Sequence, residues 1–348
     1  MDNILTIGMP AGSLANPNRG GNLVDLLERA GFTTKGYESG GPSRFTTVDF
    51  LYGWDGRPQE FGSQLAINEM DVAIAGDDWI EERRLEFELE YDTKIELKQI
   101  MSLHRGGVRI VGIIDNDRPE NTIDEYLINI TKEKKLLIMV SEMPYIALQW
   151  TREALKRIGK LDEYNEFTVQ KYKTPPAIDS GIVIYETWGK TEAKIKNGGA
   201  DFGIEITQSG SALRNYGLKI VDEILSSQTS IWINPALLQN SQKKELLQMF
   251  LLNLYGCINA ENKVLLIFNC ETSQSSALED YLQKNNLFAN EPTKASGNRY
   301  SEYTIQVAAD DKKLPLAKIR YELLKLGAQN LDTVPVHSSI PDISVIDI

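Results

Sequence analysis

Histidine and cysteine are nearly absent: the 348-residue sequence holds two of each. With only His104 and His337, a site built from several histidine ligands is excluded and a Ser-His-Asp triad is disfavoured. Cys257 and Cys270 read as small buried apolar groups rather than as a bridge. Basic residues are also scarce. The chain has 37 Lys and Arg against 49 Asp and Glu, a net charge of −12. The basic footprint on which nonspecific nucleic-acid binding relies is therefore missing. No apolar run reaches the roughly 18 residues of a membrane span. The first residues go straight into a strand-like pattern without a basic leader segment. The expectation is a cytoplasmic protein with no nucleic-acid and no membrane partner. An anionic ligand would meet an unfavourable overall field, so a local device must win: a helix N-terminus, a few arginines or a divalent cation.

What is present is ordinary for a globular chain, with 42% apolar and 25% charged residues. At about 150 residues per domain, the length predicts two to three domains. Residues 4–9 read as a strand. Leu23, Leu26, Leu27 and Ala30 form an i, i+3, i+4, i+7 stripe that ends at Gly31. Residues 45–54 alternate, Arg57-Pro58 opens a short helix, and Asp71-Val-Ala-Ile-Ala-Gly76 has a buried-strand pattern. Residues 81–98 are charged and read as solvent-facing. Buried strands at 108–114, 136–140, 181–185 and 202–206 alternate with helices at 123–130 and 145–158. That alternation predicts a mostly parallel sheet with helices on its faces. Leu246, Leu247, Phe250, Leu251 and Leu254 mark a helix leading toward the C-terminal part. There the order is β-α-β-α-β with room for one more strand, close to a ferredoxin-like module, with Ser275 capping one helix and Pro315 opening the other.

The segment from Asp201 to Gly217 carries the most chemistry. A buried strand ends in Thr207-Gln-Ser-Gly-Ser211, followed by a short helical turn with Leu213 and Arg214. Gly210 permits close backbone approach, the hydroxyls add donors, and helix-turn N–H groups carry partial positive charge. A sugar phosphate needs such a cradle, although a plain strand-to-helix turn with a capping serine has the same pattern. Asp77 and Asp78 follow a buried strand, where α/β proteins build crevice sites and where carboxylates also cap helices. Arg105 and Arg109 precede a buried strand and could grip phosphates. Asp115 and Asp117 read as turn residues, not metal ligands. Gly189-Lys190-Thr191 lacks the glycine five positions earlier that a phosphate-binding P-loop needs, since Ile184 stands there.

Taken in order, these segments resemble the ATP phosphoribosyltransferase family. Asp71-Val-Ala-Ile-Ala-Gly-Asp-Asp-Trp79, Gly107-Val-Arg109 and the 200–218 segment occur in the family's order. Gly8-Met-Pro-Ala-Gly-Ser-Leu14 sits where the family has Pro-Lys-Gly-Arg-Leu, and Ser141-Glu-Met-Pro144 resembles its Thr-Glu-Tyr-Pro turn. The end of the chain, Leu326 to Val336, looks like the regulatory domain of the long form. The resemblance implies two α/β lobes with a cleft, periplasmic-binding-protein-like, plus a C-terminal ferredoxin-like α+β domain. The implied layout is lobe I at 1–100 and 223–243, lobe II at 101–222, and a regulatory domain at 244–348.

The implied reaction joins ATP to 5-phosphoribosyl 1-pyrophosphate, releasing pyrophosphate in the first step of histidine biosynthesis. Mg²⁺ would be held largely by substrate oxygens. By position, the 5-phosphate loop falls on Thr207, Ser209, Gly210, Ser211, Ala212 and Leu213. The catalytic acidic position near the ribose hydroxyls falls on Glu205. Arg57, Asp77, Asp78 and Arg109 fall on nucleotide-binding positions. A histidine effector and a homo-oligomer, dimer or hexamer, are further implications. The chain departs from the family where its opening lysine and arginine are replaced by Ala11 and Ser13. It departs again at Glu205, for aspartate, and at Ala212, for threonine. Each lost charged contact to a phosphate is worth about 1.5–3 kcal/mol, roughly ten- to hundredfold. Arg19, Arg44 and Arg105 are the candidate replacement cations. Three competing expectations follow: a paralogue with another nitrogen-heterocycle acceptor, a non-catalytic nucleotide-binding regulator, and a two-lobed solute-binding protein.

Overall fold

The computed structural model describes residues 3–12, 22–39, 42–287 and 293–348. Ser13 and Arg19 lie outside the described residues. The chain separates into two compact units. One holds Thr33–Leu247 with the chain up to Asp25, and the other holds Leu26–Phe32 with Gln248–Asp347.

The first unit is built on a nine-stranded sheet. Its first elements are β1 (Leu5–Pro10), α1 (Leu23–Arg29, shared with the second unit), the short pair β2 (Thr34–Lys35) and β3 (Arg44–Phe45), and β4 (Leu51–Gly56). They are followed by α2 (Pro58–Ala66), β5 (Val72–Gly76), α3 (Asp77–Tyr91), β6 (Lys98–Asp115), α4 (Ile123–Glu133) and β7 (Leu136–Ser141). The remainder is α5 (Pro144–Arg157), β8 (Phe167–Lys171), β9 (Gly181–Glu186), α6 (Thr191–Lys196), β10 (Phe202–Thr207), α7 (Ser211–Asn215), β11 (Leu218–Ile233) and α8 (Ser241–Asn259), which passes the unit boundary.

The strand order is β4-β1-β5-β11-β6-β10-β7-β9-β8. β1 runs parallel to β4 and β5, and β7 runs parallel to β10 and β9. These two parallel groups are the sheets of two α/β lobes. β6 and β11 form an antiparallel ribbon shared by both. Beyond Thr229 the ribbon pairs with β5, and between Arg109 and Ile113 it pairs with β10. The middle of the ribbon is irregular. Register shifts run along β11 from Ile220 to Trp232, two of them at Ser227–Ser230, opposite a β6 stretch where His104 and Gly106 have φ of +52° and +63°. Sequence pattern marks only residues 108–114 as strand here, because the flanking Lys98–Arg105 half is too polar to read as buried.

Each lobe has its own core. Phe61, Leu65, Met70 and Ile80 pack on β5, and Trp150, Phe202, Met139 and Leu127 fill the larger lobe. Gly112 of β6 lets Trp150 lie flat on the strand, since a Cβ there would stand 2.3 Å from the indole. Trp150 also donates its indole N–H to Asp222 Oδ2 at 2.9 Å, which satisfies a polar group that would otherwise be buried unpaired.

Residues 81–98 lie largely at the surface, as their charge leads one to expect, and Glu82 is the single buried residue of the stretch. They lie partly in α3, where Ile80 and Glu82 are buried. Glu82 is only 1% exposed and accepts the N–H groups of Tyr145 and Ile146, at 3.0 and 2.8 Å. These are orphan donors at the start of α5, so the carboxyl caps a neighbouring helix instead of facing water. Burial outweighs those two donors and pushes its carboxyl up to about 8.

The second unit is a four-stranded antiparallel sheet in which β12 (Lys263–Glu271), β13 (Thr293–Ser296), β14 (Tyr300–Ala308) and β15 (Ala328–Pro335) lie in the order β13-β14-β12-β15. Helices α9 (Ser275–Lys284) and α10 (Leu316–Lys325) complete a βαββαβ, ferredoxin-like topology. Their apolar faces, Leu278, Leu282, Ile319 and Leu323, pack with Phe268, Tyr303 and Val307. Ser275 is the first residue of α9, not its cap, and its hydroxyl donates to the Thr272 carbonyl.

Candidate active site

The cleft of the first unit opens where β1, β5 and β10 end beside the irregular middle of the ribbon. One recess, of about 490 Å³, is lined by Asp77, Val108, Arg109, Gln208, Ser226 and Ser227. A second, of about 430 Å³, is lined on one lobe by Ala11, Arg57, Gln59, Asp78 and Trp79 and on the other by Trp188 and Ile206. Val108 and Ser227 border both, so the two recesses adjoin across the ribbon. Volumes of this size fall within the roughly 300–1,000 Å³ typical of small-molecule sites.

The predicted residues divide among these places. Asp77 and Arg109 share the first recess; Arg57 and Asp78 share the second. Asp77 accepts the Trp232 indole N–H at 3.1 Å, and Arg109 pairs with Glu223 at 2.9 Å. Asp78 is 3% exposed, and its Oδ1 accepts from Ser227 Oγ at 2.9 Å while its own N–H donates to that hydroxyl. Burial raises its carboxyl above the usual range. Asp78 thus ties the start of α3 to β11, with the Ser227 hydroxyl taking up one of the helix's first N–H groups. Arg57 precedes α2, whose first residue is Pro58. It is exposed and makes no ion pair among the described residues. Ala11 stands in the same wall, where the resemblance puts a lysine.

The turn after β10 is solvent-accessible at Ser209, Ser211 and Ala212, while Gly210 and Leu213 are buried. Gly210 has φ +70°, a left-handed conformation that suits glycine. The Gly210 N–H donates to Thr207 Oγ1 at 2.9 Å, the Ser211 N–H to Ser209 Oγ at 3.3 Å, and the Ser209 hydroxyl to Ser211 Oγ at 2.9 Å. The amides expected to face a phosphate are therefore bonded to hydroxyls of the same turn. Arg214 donates to the Ser209 carbonyl at 3.3 Å and brings a cation to the turn. The helix that follows has five residues, so the hydroxyls and Arg214, more than a helix dipole, carry what affinity the turn has. Gln208, one residue earlier, reaches the first recess wall.

Glu205 lines neither recess; it borders a narrow crevice with Ser141, Glu142 and Met143, which shares Ile206 with the second recess. Its Oε1 accepts from the Ile206 N–H, and its buried Oε2 has no hydrogen-bond partner. Burial first, and the nearby Glu142 and Glu192 second, push this carboxyl up to about 7. Sequence pattern misses Gln59, Trp188, Gln208 and Ser226–Gln228 as cleft residues. The last three belong to a polar run in a strand, which alternation alone does not single out.

The family model for ATP phosphoribosyltransferase matches residues 57–256. An ATP phosphoribosyltransferase of Geotalea uraniireducens is 26% identical over 98% of this chain and 100% of its own length. One from Chlorobium phaeobacteroides is 28% identical over 77% of this chain and 76% of its own. Among solved structures, the ATP phosphoribosyl transferase (HisG:HisZ) complex from Thermotoga maritima aligns at TM-score 0.48 and 17% identity, covering 72% of this chain and 98% of that one.

Proposed function

The chain belongs to the ATP phosphoribosyltransferase family, and we propose that it performs that reaction in the cleft of its first unit. The C1′–oxygen bond to pyrophosphate breaks, adenine N1 forms the new bond to C1′, and pyrophosphate leaves with the electron pair. The anomeric carbon becomes cationic on the way, so no protein nucleophile is required. The protein's tasks are aligning two polyanions and offsetting charge.

Two adjoining recesses sharing Val108 and Ser227 are the observation that carries this reading. We assign the 5-phosphate to the 207–213 turn. The Ser209 and Ser211 hydroxyls would exchange their mutual bond for charged ones, worth about 1.5–3 kcal/mol each against about 0.5–1.5 for the neutral bond. We assign the ribose hydroxyls to Glu205, whose unpartnered Oε2 is an acceptor without a donor. The nucleotide takes the recess with Arg57. Among the described residues no group of three or more His, Cys, Asp or Glu could hold a metal ion. Magnesium is assigned to the substrates, on phosphate oxygens, because that ion usually binds with substrate phosphates.

The test is pyrophosphate release by the purified protein. It should require ATP, phosphoribosyl pyrophosphate and Mg²⁺ together, and folded protein that fails to turn over would reject the proposal. Ala11 in the recess wall favours one competing reading, a different nitrogen-heterocycle acceptor. A panel of bases that yields product where ATP yields none would select it. We further propose that the ferredoxin-like unit is regulatory, with histidine lowering the rate, and that the chain forms a dimer or hexamer in the cytoplasm. No described helix is long and apolar enough to cross a membrane. Sedimentation with and without histidine tests the assembly.

A further inference from the structure

We propose that the Trp188 indole is the platform on which the acceptor base stacks, and that it sets affinity for the nucleotide without contributing to phosphoribosyl binding. The inference rests on the reading above for the identity of the base, and on geometry for the rest. Trp188 is 64% exposed, yet it stands in the wall of the recess that holds Arg57, Gln59 and Trp79.

Its backbone is pinned on both sides. The Thr187 N–H donates to the Ser141 carbonyl at 2.9 Å, and the Thr187 and Thr191 hydroxyls meet at 3.2 Å in the interior. The Gly189 N–H donates to Glu142, and the Lys194 ammonium donates to the Gly189 carbonyl at 2.6 Å. Gly189 and Lys190 follow with φ of +78° and +60°, two consecutive left-handed residues that turn the chain sharply after the tryptophan. The neighbouring cation does not cover the indole, because Lys190 lies over Tyr216 and donates to its hydroxyl at 3.1 Å. The indole is thus presented by a fixed loop to an open recess, so stacking orders little that is not already ordered.

An aromatic face and an arginine without an ion pair among the described residues occupy one recess of about 430 Å³. That pairing matches a flat heterocycle attached to phosphates. The π-face attracts any base, while the guanidinium addresses the anionic end.

The experiment titrates ATP, phosphoribosyl pyrophosphate and inorganic tripolyphosphate separately into wild type, Trp188→Ala and Trp188→Phe by calorimetry, alongside steady-state kinetics. Trp188→Ala is expected to weaken ATP binding roughly five- to hundredfold and to raise KM for ATP to match. Affinity for tripolyphosphate and phosphoribosyl pyrophosphate, and the melting temperature, should hold. Phenylalanine should restore part of the loss. Unchanged ATP affinity in Trp188→Ala overturns the proposal, as does an equal loss of ATP and tripolyphosphate. It is also overturned if the substitution changes the sedimentation state while ligand affinities stay intact, which would make Trp188 a protein contact. An indifferent Trp188→Ala in an enzyme that still turns over ATP removes the platform and leaves the catalytic assignment standing. A wild type that ignores ATP but binds another nucleoside triphosphate through Trp188 does the reverse.

Discussion

Two carboxyls of the first unit, the buried Glu82 at the α3–α5 junction and the half-buried Glu205 in β10, are both pushed up by desolvation, to about 8 and about 7. They differ in what their oxygens touch. Each Glu82 oxygen accepts a backbone N–H from the start of α5. Glu205 spends one oxygen on its neighbour's amide and keeps the other without a partner. The same perturbation therefore accompanies two kinds of group. A fully bonded buried carboxyl is a joint of the architecture, whereas one with an unpartnered oxygen, as at Glu205 and also at Glu120, keeps acceptor capacity for water or a ligand. A shifted pKa by itself does not separate the two, but the hydrogen-bond inventory does.

The comparison breaks first at Glu82. Glu82→Ala strands two buried amides and should cost roughly 2–6 kcal/mol of stability, read as a lower denaturation midpoint. An unchanged midpoint would demote it to a bystander. Glu205→Ala should do the opposite, leaving the midpoint unchanged or higher while kcat/KM for phosphoribosyl pyrophosphate falls about ten- to hundredfold. If both variants lose only stability, the distinction fails.

Glycine at position 210 offers a smaller lever. With φ +70° and a Cβ that would meet Arg214 and Ile220 at 3.2 Å, Gly210→Ala should cost about 1–2 kcal/mol of backbone strain and weaken phosphoribosyl pyrophosphate binding.

pH gives the finest resolution. Both carboxyls hold their protons more tightly when folded than at the ordinary 4.5 of a free glutamate. Stability should thus be fullest below about 4.5 and decline as pH rises toward 7 for Glu205 and 8 for Glu82. Glu82→Gln should remove the upper part of that slope. If ionised Glu205 accepts ribose hydroxyls, kcat/KM should fall as pH drops below about 7, and that limb should vanish in Glu205→Gln.

The strands with continuous apolar runs, β5, β7, β9 and β10, were legible in the sequence, and so was most of the C-terminal module. The failures share a cause. α3 reads as a charged, exposed stretch and largely is one; only the burial of Glu82 escapes that reading, because the amides it accepts lie more than sixty residues away. β6 is cut short because its flanking Lys98–Arg105 half is polar, and β11 is not read as a strand at all, its Ser226–Gln228 run being polar where it lines the cleft. In the cleft, the Asp77 and Arg109 positions lie within segments that local motifs single out. Trp188 and Ser227 could not be found that way, since only tertiary folding brings the loop after β9 and the middle of β11 to one recess.

The irregular centre of the β6–β11 ribbon has a mechanical consequence. Bulges bend a ladder where they occur, and two of these lie at Ser227–Ser230, against the floor common to both recesses. Were one lobe to turn against the other, the ribbon they share would have to bend along this irregular stretch, whose register shifts run from Ile220 to Trp232. Flexure and occupancy are then the same event seen from two sides: a seated molecule stiffens the pivot, and a strained pivot deforms the seat.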